Sequence, residues 1–368
     1  MTTLRLLADD LTGALDTAAE FVRLTGPVSV YWSGAVPALL PASTAVDSGT
    51  RELDLEEARL KVNGLAKSLI GADISYKKVD SLLRGHTMTE LAACLASGSF
   101  PVCIVAPAFP YQGRITRGGV QFRRTADQEW SPVADIFALL ADAGLRAAKG
   151  DLSRPVQEGI SVFDAETDDE LQQIATIGRE VGNSVLWCGS AGLAQALAGS
   201  PATSNFDLKR PVLGLFGSDQ AVTASQLEAC GSSHFKLPDG GTRSAASLAR
   251  RLDQTGVALA SLDLPAGLSR TEAARRIGEE LARLAQQMPS PGTLIVAGGE
   301  TLRGLCIALG ATALEAVGQI EPGLPRSKLC GGRWDGVDVV SKSGAFGGPN
   351  LWRDLLNLDG TTSERAQR

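Results

Sequence analysis

One local pattern recurs along this chain and limits the folds open to it. A short, uninterrupted apolar run is followed by a turn of small or polar residues and then by an amphipathic stretch. It appears at Leu4–Ala8 before Asp-Asp-Leu-Thr-Gly, at residues 103–106 before Pro-Ala-Phe-Pro-Tyr-Gln-Gly-Arg, and at residues 185–187 before Cys-Gly-Ser-Ala-Gly. It returns at Val212–Phe216 before Gly-Ser-Asp and at Thr293–Ala297 before Gly-Gly-Glu-Thr. Runs this short, ended by turn formers and followed by helix signals, read as strands of a parallel sheet with both faces covered by helices. The expected class is therefore α/β, with largely parallel sheets flanked by helices. Ligands of such sheets gather outside the carboxyl ends of the strands, where each quoted turn falls.

A length of 368 residues exceeds what one simple core commonly holds, so two domains are expected. Residues 198–211, Ala-Gly-Ser-Pro-Ala-Thr-Ser-Asn-Phe-Asp-Leu-Lys-Arg-Pro, are rich in loop formers and carry no periodicity. They predict a linker between a domain at 1–205 and another at 212–368. Residues 36–50 read as a loop within the first domain, and residues after Leu358 as a frayed tail. An apolar fraction of 44% with 21% charged residues is that of an ordinary globular protein. Net charge is −6, without a run of Lys or Arg, which argues against a nucleic-acid partner. Cys94, Cys103, Cys188, Cys230, Cys306 and Cys330 show no paired spacing, as expected for thiols in a reducing compartment rather than a disulfide or zinc framework. The first residues, MTTLRLLADD, lack a signal-peptide pattern, and no apolar stretch approaches a membrane span. A cytoplasmic location is the expectation.

Several turns carry groups suited to chemistry. Asp9 and Asp10 end the first strand, ahead of Leu11-Thr12-Gly13. A carboxylate there can cap the helix or accept a proton from a substrate hydroxyl. Lys78, Asp80, Ser81 and Arg84 follow one another closely. They fit a site gripping an anionic, hydroxylated ligand, or the ion pairs of a solvated edge strand. Gly113-Arg114 and Thr116-Arg117-Gly118-Gly119 read either as an anion-binding turn or as a surface loop. In the second half, Gly217-Ser218, Gly298-Gly299-Glu300-Thr301 and the turn Ser343-Gly344-Ala345-Phe346-Gly347-Gly348 each follow an apolar run. Such turns offer backbone N–H groups to phosphates, and three of them together point to a nucleotide.

Absences narrow the field. There is no GxxxxGK[ST] loop, no GxGxxG fingerprint, no HExxH and no GxSxG elbow. With only His86 and His234, a Ser-His-Asp triad has few ways to form, and Cys188-Gly189-Ser190 lacks a base partner.

Taken together, the motifs resemble the four-carbon acid sugar kinase family almost end to end. The resemblance is carried by Leu-Ala-Asp-Asp-Leu-Thr-Gly-Ala-Leu-Asp near the start, Lys78-Val-Asp80-Ser81-Leu-Leu-Arg84-Gly85 and Ala106-Pro-Ala-Phe-Pro-Tyr-Gln-Gly-Arg114. Phe163-Asp-Ala-Glu-Thr-Asp-Asp-Glu, Gly189-Ser-Ala-Gly-Leu-Ala, Gly298-Gly-Glu-Thr and Ser343-Gly-Ala-Phe-Gly extend it. It implies an N-terminal sugar-acid domain, a C-terminal nucleotide domain and catalysis in the cleft between them. Family members phosphorylate threonate, erythronate or 3-oxo-tetronate with ATP and Mg²⁺. Carried over, Asp9, Asp10, Arg51, Lys78, Asp80, Ser81 and Arg84 meet the acid. Ser218, Gly298, Gly299, Glu300, Thr301, Gly344, Phe346 and Gly347 hold ATP, and no residue is assigned to a metal. Leu82 stands where the family carries Thr, Asp219 follows Ser218 where a Ser or Cys is common, and Arg51 sits in a looser match.

The expected activity is transfer of a phosphoryl group from ATP to a hydroxyl of the acid, with Asp10 or, alternatively, Asp80 taking the proton. Lys78 and Arg84 anchor the carboxylate, with Arg51 a weaker candidate for that task. A ribokinase-type enzyme is disfavoured, because no Asp-Thr-x-Gly-Ala-Gly-Asp run occurs late in the chain. The remaining alternatives are a sugar-acid-binding regulator without turnover and a kinase acting on a different small hydroxy acid. A homodimer is compatible with the sequence, which does not decide the oligomeric state.

Overall fold

The computed structural model of the chain describes residues 1–199, 207–265 and 267–358. Part of the expected linker at 198–211, and all of the expected tail after Leu358, lie outside the described residues. The chain divides into two units, Met1–Thr203 with Glu315–Pro322, and Ser204–Leu314 with Gly323–Arg368.

The strands of the first unit are β1 (Leu4–Ala8), β2 (Val28–Trp32), β3 (Thr44–Asp47), β4 (Ile74–Lys78), β5 (Val102–Ala106), β6 (Arg114–Arg117), β7 (Val120–Arg124), β8 (Trp130–Asp135), β9 (Ala147–Lys149), β10 (Gly159–Val162) and β11 (Val185–Gly189). Its main sheet runs β2-β3-β1-β4-β11-β5-β10-β9, parallel throughout. The helices are α1 (Leu11–Thr25), α2 (Leu55–Leu65), α3 (Thr87–Leu95), α4 (Ile136–Asp142), α5 (Asp168–Arg179) and α6 (Ala191–Ala198). Leu7, Val46, Val105 and Leu186 of the strands meet Val62, Leu91, Cys94 and Ile136 of α2, α3 and α4. On the other side of the sheet, Phe21 of α1 packs edge-on against Tyr76 of β4, with ring centroids 5.8 Å apart. Helix starts follow their sequence signals: Asp10, Asp54, Asp135, Thr167 and Ser190 each accept a backbone N–H as N-cap.

The second unit holds β12 (Val212–Phe216), β13 (His234–Leu237), β14 (Val257–Leu262) and β15 (Thr293–Ala297). After them come β16 (Ala313–Glu321), whose greater part belongs to the first unit, then β17 (Leu324–Cys330) and β18 (Asp338–Lys342). The order is β13-β14-β12-β15-β18-β17, with only the β17–β18 pair antiparallel among those strands. Its helices are α7 (Ala221–Glu228), α8 (Thr242–Thr255), α9 (Arg270–Gln287), α10 (Gly299–Ala308) and α11 (Leu351–Leu355).

Each apolar run singled out in the sequence is a buried strand of a parallel sheet. Three expectations need correction. Residues 36–50 are not simply a loop, since they contain β3, fully buried between β1 and β2. Its four residues are too few to show a period, and pairing on both sides defines them. The segment carrying Lys78 is no solvated edge, because β4 lies between β1 and β11 with every residue buried. Arg114–Arg117 and the following glycines are neither a free loop nor a turn alone. They form the β6–β7 hairpin of a small antiparallel sheet, β6-β7-β8. Gly118 (φ 60°) and Gly119 (φ 78°) supply the two left-handed positions that a tight hairpin turn requires.

The described cysteines are free, and burial pushes the thiols of Cys94, Cys188 and Cys306 up to about 12, so they stay neutral. Among the described residues, no helix is long and apolar enough to cross a membrane.

Candidate active site

In the first unit the chain passes from β1 to β2 and β3 on one side, then crosses to β4 on the other. The strand order therefore switches direction at β1, and the loops after β1, β3 and β4 emerge side by side. Ser48 N–H donates to Ala8 O (2.9 Å) and Thr50 N–H to Asp9 O (3.0 Å), which prolongs the ladder beyond the sheet and delivers Arg51 to Asp9.

Arg51 binds Asp9 through Nε (2.7 Å) and Nη2 (2.8 Å), and reaches Asp10 Oδ2 with Nη1 (2.8 Å). Its Nη2 also lies 3.9 Å from Asp80 Oδ1. Asp10 caps α1 through Gly13 N–H (2.9 Å) and accepts the Thr12 hydroxyl (2.6 Å). Asp80, just past β4, is gripped by Arg84 through Nε (2.9 Å) and Nη2 (2.6 Å) and by the backbone N–H groups of Leu82 (3.0 Å) and Arg84 (3.3 Å). Leu83 takes a left-handed conformation (φ 55°) in this turn, a strained position for a branched residue. Lys78 Nζ donates to Val79 O (2.8 Å) and would lie 3.3 Å from a Cβ placed at Gly13, beneath the first turn of α1. Ser81 contributes its carbonyl, which accepts Gln121 Nε2 of β7 (2.8 Å) and ties the hairpin to the Asp80 turn.

The electrostatics follow from these contacts. Burial alone would raise the Asp80 carboxyl, but the hydrogen bonds from Arg84 and the charges of Arg51, Arg84 and Lys78 hold it well below the usual carboxylate range. Asp9 is also buried, and Arg51, Lys77 and Lys78 outweigh that burial and lower it. Exposure separates the members. The Asp9 and Asp80 side chains are 6% and 8% exposed and Arg51 is 15% exposed, whereas Arg84 is 58% exposed. Arg51 is thus locked among three carboxylates, while Arg84 keeps a face open to solvent.

The neighbours of these residues take other roles. Lys77 points to the opposite face of β4 and forms a fully buried pair with Glu90 of α3 (2.8 Å). Arg117 pairs with Glu166 at the surface, away from the cluster. Arg114 lies close enough to Asp80 and Arg84 to feel both charges, although burial dominates and lowers it. Gln121 and Glu90 escaped the sequence reading because isolated polar residues carry no motif.

In the second unit the order switches at β12, and β12, β15 and β18 end level, with Phe216 beside Ala297 and Ala297 beside Lys342. All three glycine turns leave from these ends. A Cβ on Gly344 would lie 2.3 Å from Ser218 Oγ, and one on Gly217 would lie 2.4 Å from Thr301 Oγ1, so only glycine lets the turns meet. Gly298 (φ 103°) precedes α10, whose first turn holds Gly299, Glu300 and Thr301. Glu300 is exposed and faces Arg303 (3.3 Å). Phe346 N–H closes the third turn on Ser343 O (3.0 Å), and Gly347 (φ 88°) continues it. Asp219 accepts the Gln220 amide (3.2 Å) at the surface.

A family model described as a sugar-binding N-terminal domain matches residues 4–135, and one described as a nucleotide-binding C-terminal domain matches residues 213–351. A D-threonate kinase of Bordetella bronchiseptica is 32% identical over 93% of this chain and 94% of its own length. The chain belongs to the four-carbon acid sugar kinase family. The resemblance read from the motifs is thereby borne out. Another relative, a D-erythronate kinase of Heliobacterium modesticaldum, is 25% identical over 94% of each protein. A solved Salmonella typhimurium structure described as a putative tRNA synthase covers the whole of both chains with a TM-score of 0.74. At 19% identity it shares the fold of this family member, and its description carries no more than that.

Among the described residues, no group of three or more acidic, His or Cys side chains is fit to hold a metal ion, and Asp9, Asp10 and Asp80 each carry an arginine. The Mg²⁺ expected alongside ATP finds no protein cage here, and no residue is assigned to it.

Proposed function

We propose that this protein is an ATP-dependent kinase that phosphorylates a hydroxyl of a small four-carbon sugar acid such as threonate, erythronate or 3-oxo-tetronate. One observation carries the reading. The sugar-binding family model falls on the unit with the acid and arginine cluster, and the nucleotide-binding model falls on the unit with the three glycine turns. Relatives named as kinases of threonate and erythronate, aligned over most of the chain, support the substrate class. In this proposal residues 1–205 bind the acid and 212–368 the nucleotide, and the enzyme works in the cytoplasm with its thiols reduced.

Phosphoryl transfer asks a protein chiefly for positioning and for neutral surroundings around developing charge. The exposed guanidinium of Arg84 takes the substrate carboxylate in a forked pair, assisted by Lys78. Arg51 orders the carboxylates, and Ser81 lies beside them. Asp10 takes or orients the proton of the attacking hydroxyl. It is preferred to Asp80, which two N–H groups of Arg84 and two backbone N–H groups already saturate, and whose lowered basicity suits a base poorly. The hydroxyl oxygen bonds to the γ-phosphorus of ATP as the bond from that phosphorus to ADP breaks. Ser218, Gly298, Gly299, Glu300, Thr301, Gly344, Phe346 and Gly347 make up the ATP site.

The test is ADP release from ATP and Mg²⁺ across D- and L-threonate, D- and L-erythronate, 3-oxo-tetronates, glycerate and longer aldonates. Strong turnover with one four-carbon acid is the expected result. ATP binding without turnover on any acid of the panel would instead support a kinase acting on a different small hydroxy acid, and binding of an acid without ADP formation a sugar-acid-binding regulator. Absence of ATP binding would overturn the kinase reading.

A further inference from the structure

Lys342 is the last residue of β18, and its side chain is 1% exposed. Its ammonium donates to Ser343 O (3.1 Å), Gly344 O (3.2 Å) and Thr223 Oγ1 (3.2 Å), and lies 5.9 Å from the Trp352 ring centroid. Among the described residues, no carboxylate is recorded against it. A buried cation whose acceptors are all neutral is costly to a fold and is retained where its charge has a use.

The neighbouring bonds suggest that use. The Thr223 hydroxyl of α7 donates to Gly344 O (2.8 Å). One turn later on α7, Gln226 Nε2 donates to Phe346 O (3.0 Å) and Gly348 O (2.9 Å). Thr223 and Gln226 are both buried. The carbonyls of residues 343, 344, 346 and 348 are therefore drawn toward donors on one side. In a trans peptide the N–H points opposite to the C=O, so the N–H groups of Gly344, Ala345 and Gly347 face away from the brace. Among the described residues, none of the three has a recorded acceptor. Successive N–H groups of this kind form an anion-binding concavity, and Gly344 sits directly against Ser218.

We propose that Lys342, together with Thr223 and Gln226, is a positioning residue that holds the 343–348 turn open as an amide cradle for nucleotide phosphates and places a fixed positive charge behind it. The inference rests on the nucleotide-site reading and deepens it, because it gives the phosphates an inner support that the glycine turns alone do not supply. Burial lowers Lys342 to about 8, which leaves the ammonium largely charged at neutral pH.

The experiment measures binding of ADP and of adenosine by calorimetry to the full-length wild type, K342M and T223V, with a thermal melt of each. Lys342→Met is expected to weaken ADP by roughly tenfold or more, the scale of one lost charge-assisted contact. Adenosine affinity should stay nearly unchanged, and so should the melting temperature, unless relief of the buried charge raises it. Thr223→Val, which removes the hydroxyl's bond to Gly344 O and one acceptor of Lys342 but keeps the charge, should weaken ADP by a smaller factor in the same selective way. Unchanged ADP affinity in both variants, or an equal loss of ADP and adenosine binding, would overturn the proposal, the second pattern marking a purely structural role. A wild-type protein that binds neither compound would overturn the nucleotide-site reading itself, and the brace with it.

Discussion

In the proposed mechanism Asp10 takes a proton as well as capping α1, and a single substitution separates the two. Asparagine caps a helix about as well as aspartate, so Asp10→Asn should keep α1 and the melting temperature nearly intact. As the proton acceptor, it should lower kcat by about 10²-fold or more. A fall of less than threefold in a steady-state assay would move the role to Asp80. The two arginines divide in the same manner. Arg51→Met strips the partner from buried Asp9 and from half-buried Asp10, a loss that costs about 3 kcal/mol or more when a buried pair such as that with Asp9 is broken, and should be read as a lower melting temperature. Arg84→Met removes a largely exposed side chain but also two hydrogen bonds to buried Asp80, so the melting temperature should fall by less than for Arg51→Met, while KM for the acid rises by roughly 10–100-fold, the value of charged hydrogen bonds. Equal effects of both changes on stability would contradict this division.

At the scale of elements, α1 presents Asp10 at its start and Glu20 on its buried face. Glu20 is fully buried and accepts Gln319 Nε2 of β16 (3.0 Å). Burial, together with the charge of Asp16, raises its carboxyl to about 8 despite that bond. An unfolded glutamate titrates near 4.5. The folded state therefore holds the proton more tightly, and stability falls as pH rises from about 4.5 to 8, with the full cost present above 8. Glu20→Gln should accordingly raise the melting temperature most at pH 8.5 and least near pH 4.5. A difference between variant and wild type that is flat across this range would contradict the buried, neutral carboxyl.

For the molecule as a whole, the segment Glu315–Pro322 joins a unit otherwise built from the first part of the chain, and β16 lies beside β2. A fragment of residues 1–203 lacks this strand. It would leave β2 as an open edge and Glu20 without Gln319, a combination that favours edge-to-edge association. Such a fragment is expected to aggregate or to melt well below the full chain on size-exclusion chromatography and calorimetry. A monomer with an unchanged melting temperature would show that β16 contributes little to the first unit.

The amino-acid sequence by itself determined the α/β class, the main strands and the turns at their carboxyl ends, because uninterrupted apolar runs and small-residue turns are local signals. Asp9, Asp10, Lys78, Asp80 and Arg84 stood out because they are polar groups at strand ends. Tertiary structure decided which of them touch. Arg51 follows a strand too short to show a period, and only pairing with β1 brings it to Asp9. Lys342, Thr223 and Gln226 looked like ordinary residues of a strand and a helix, and their common task appears only once β18 and α7 are packed together. The partition of Lys77 and Lys78 between two faces, and the passage of β16 to the first unit, rest likewise on long-range burial, which has no signature in neighbouring residues.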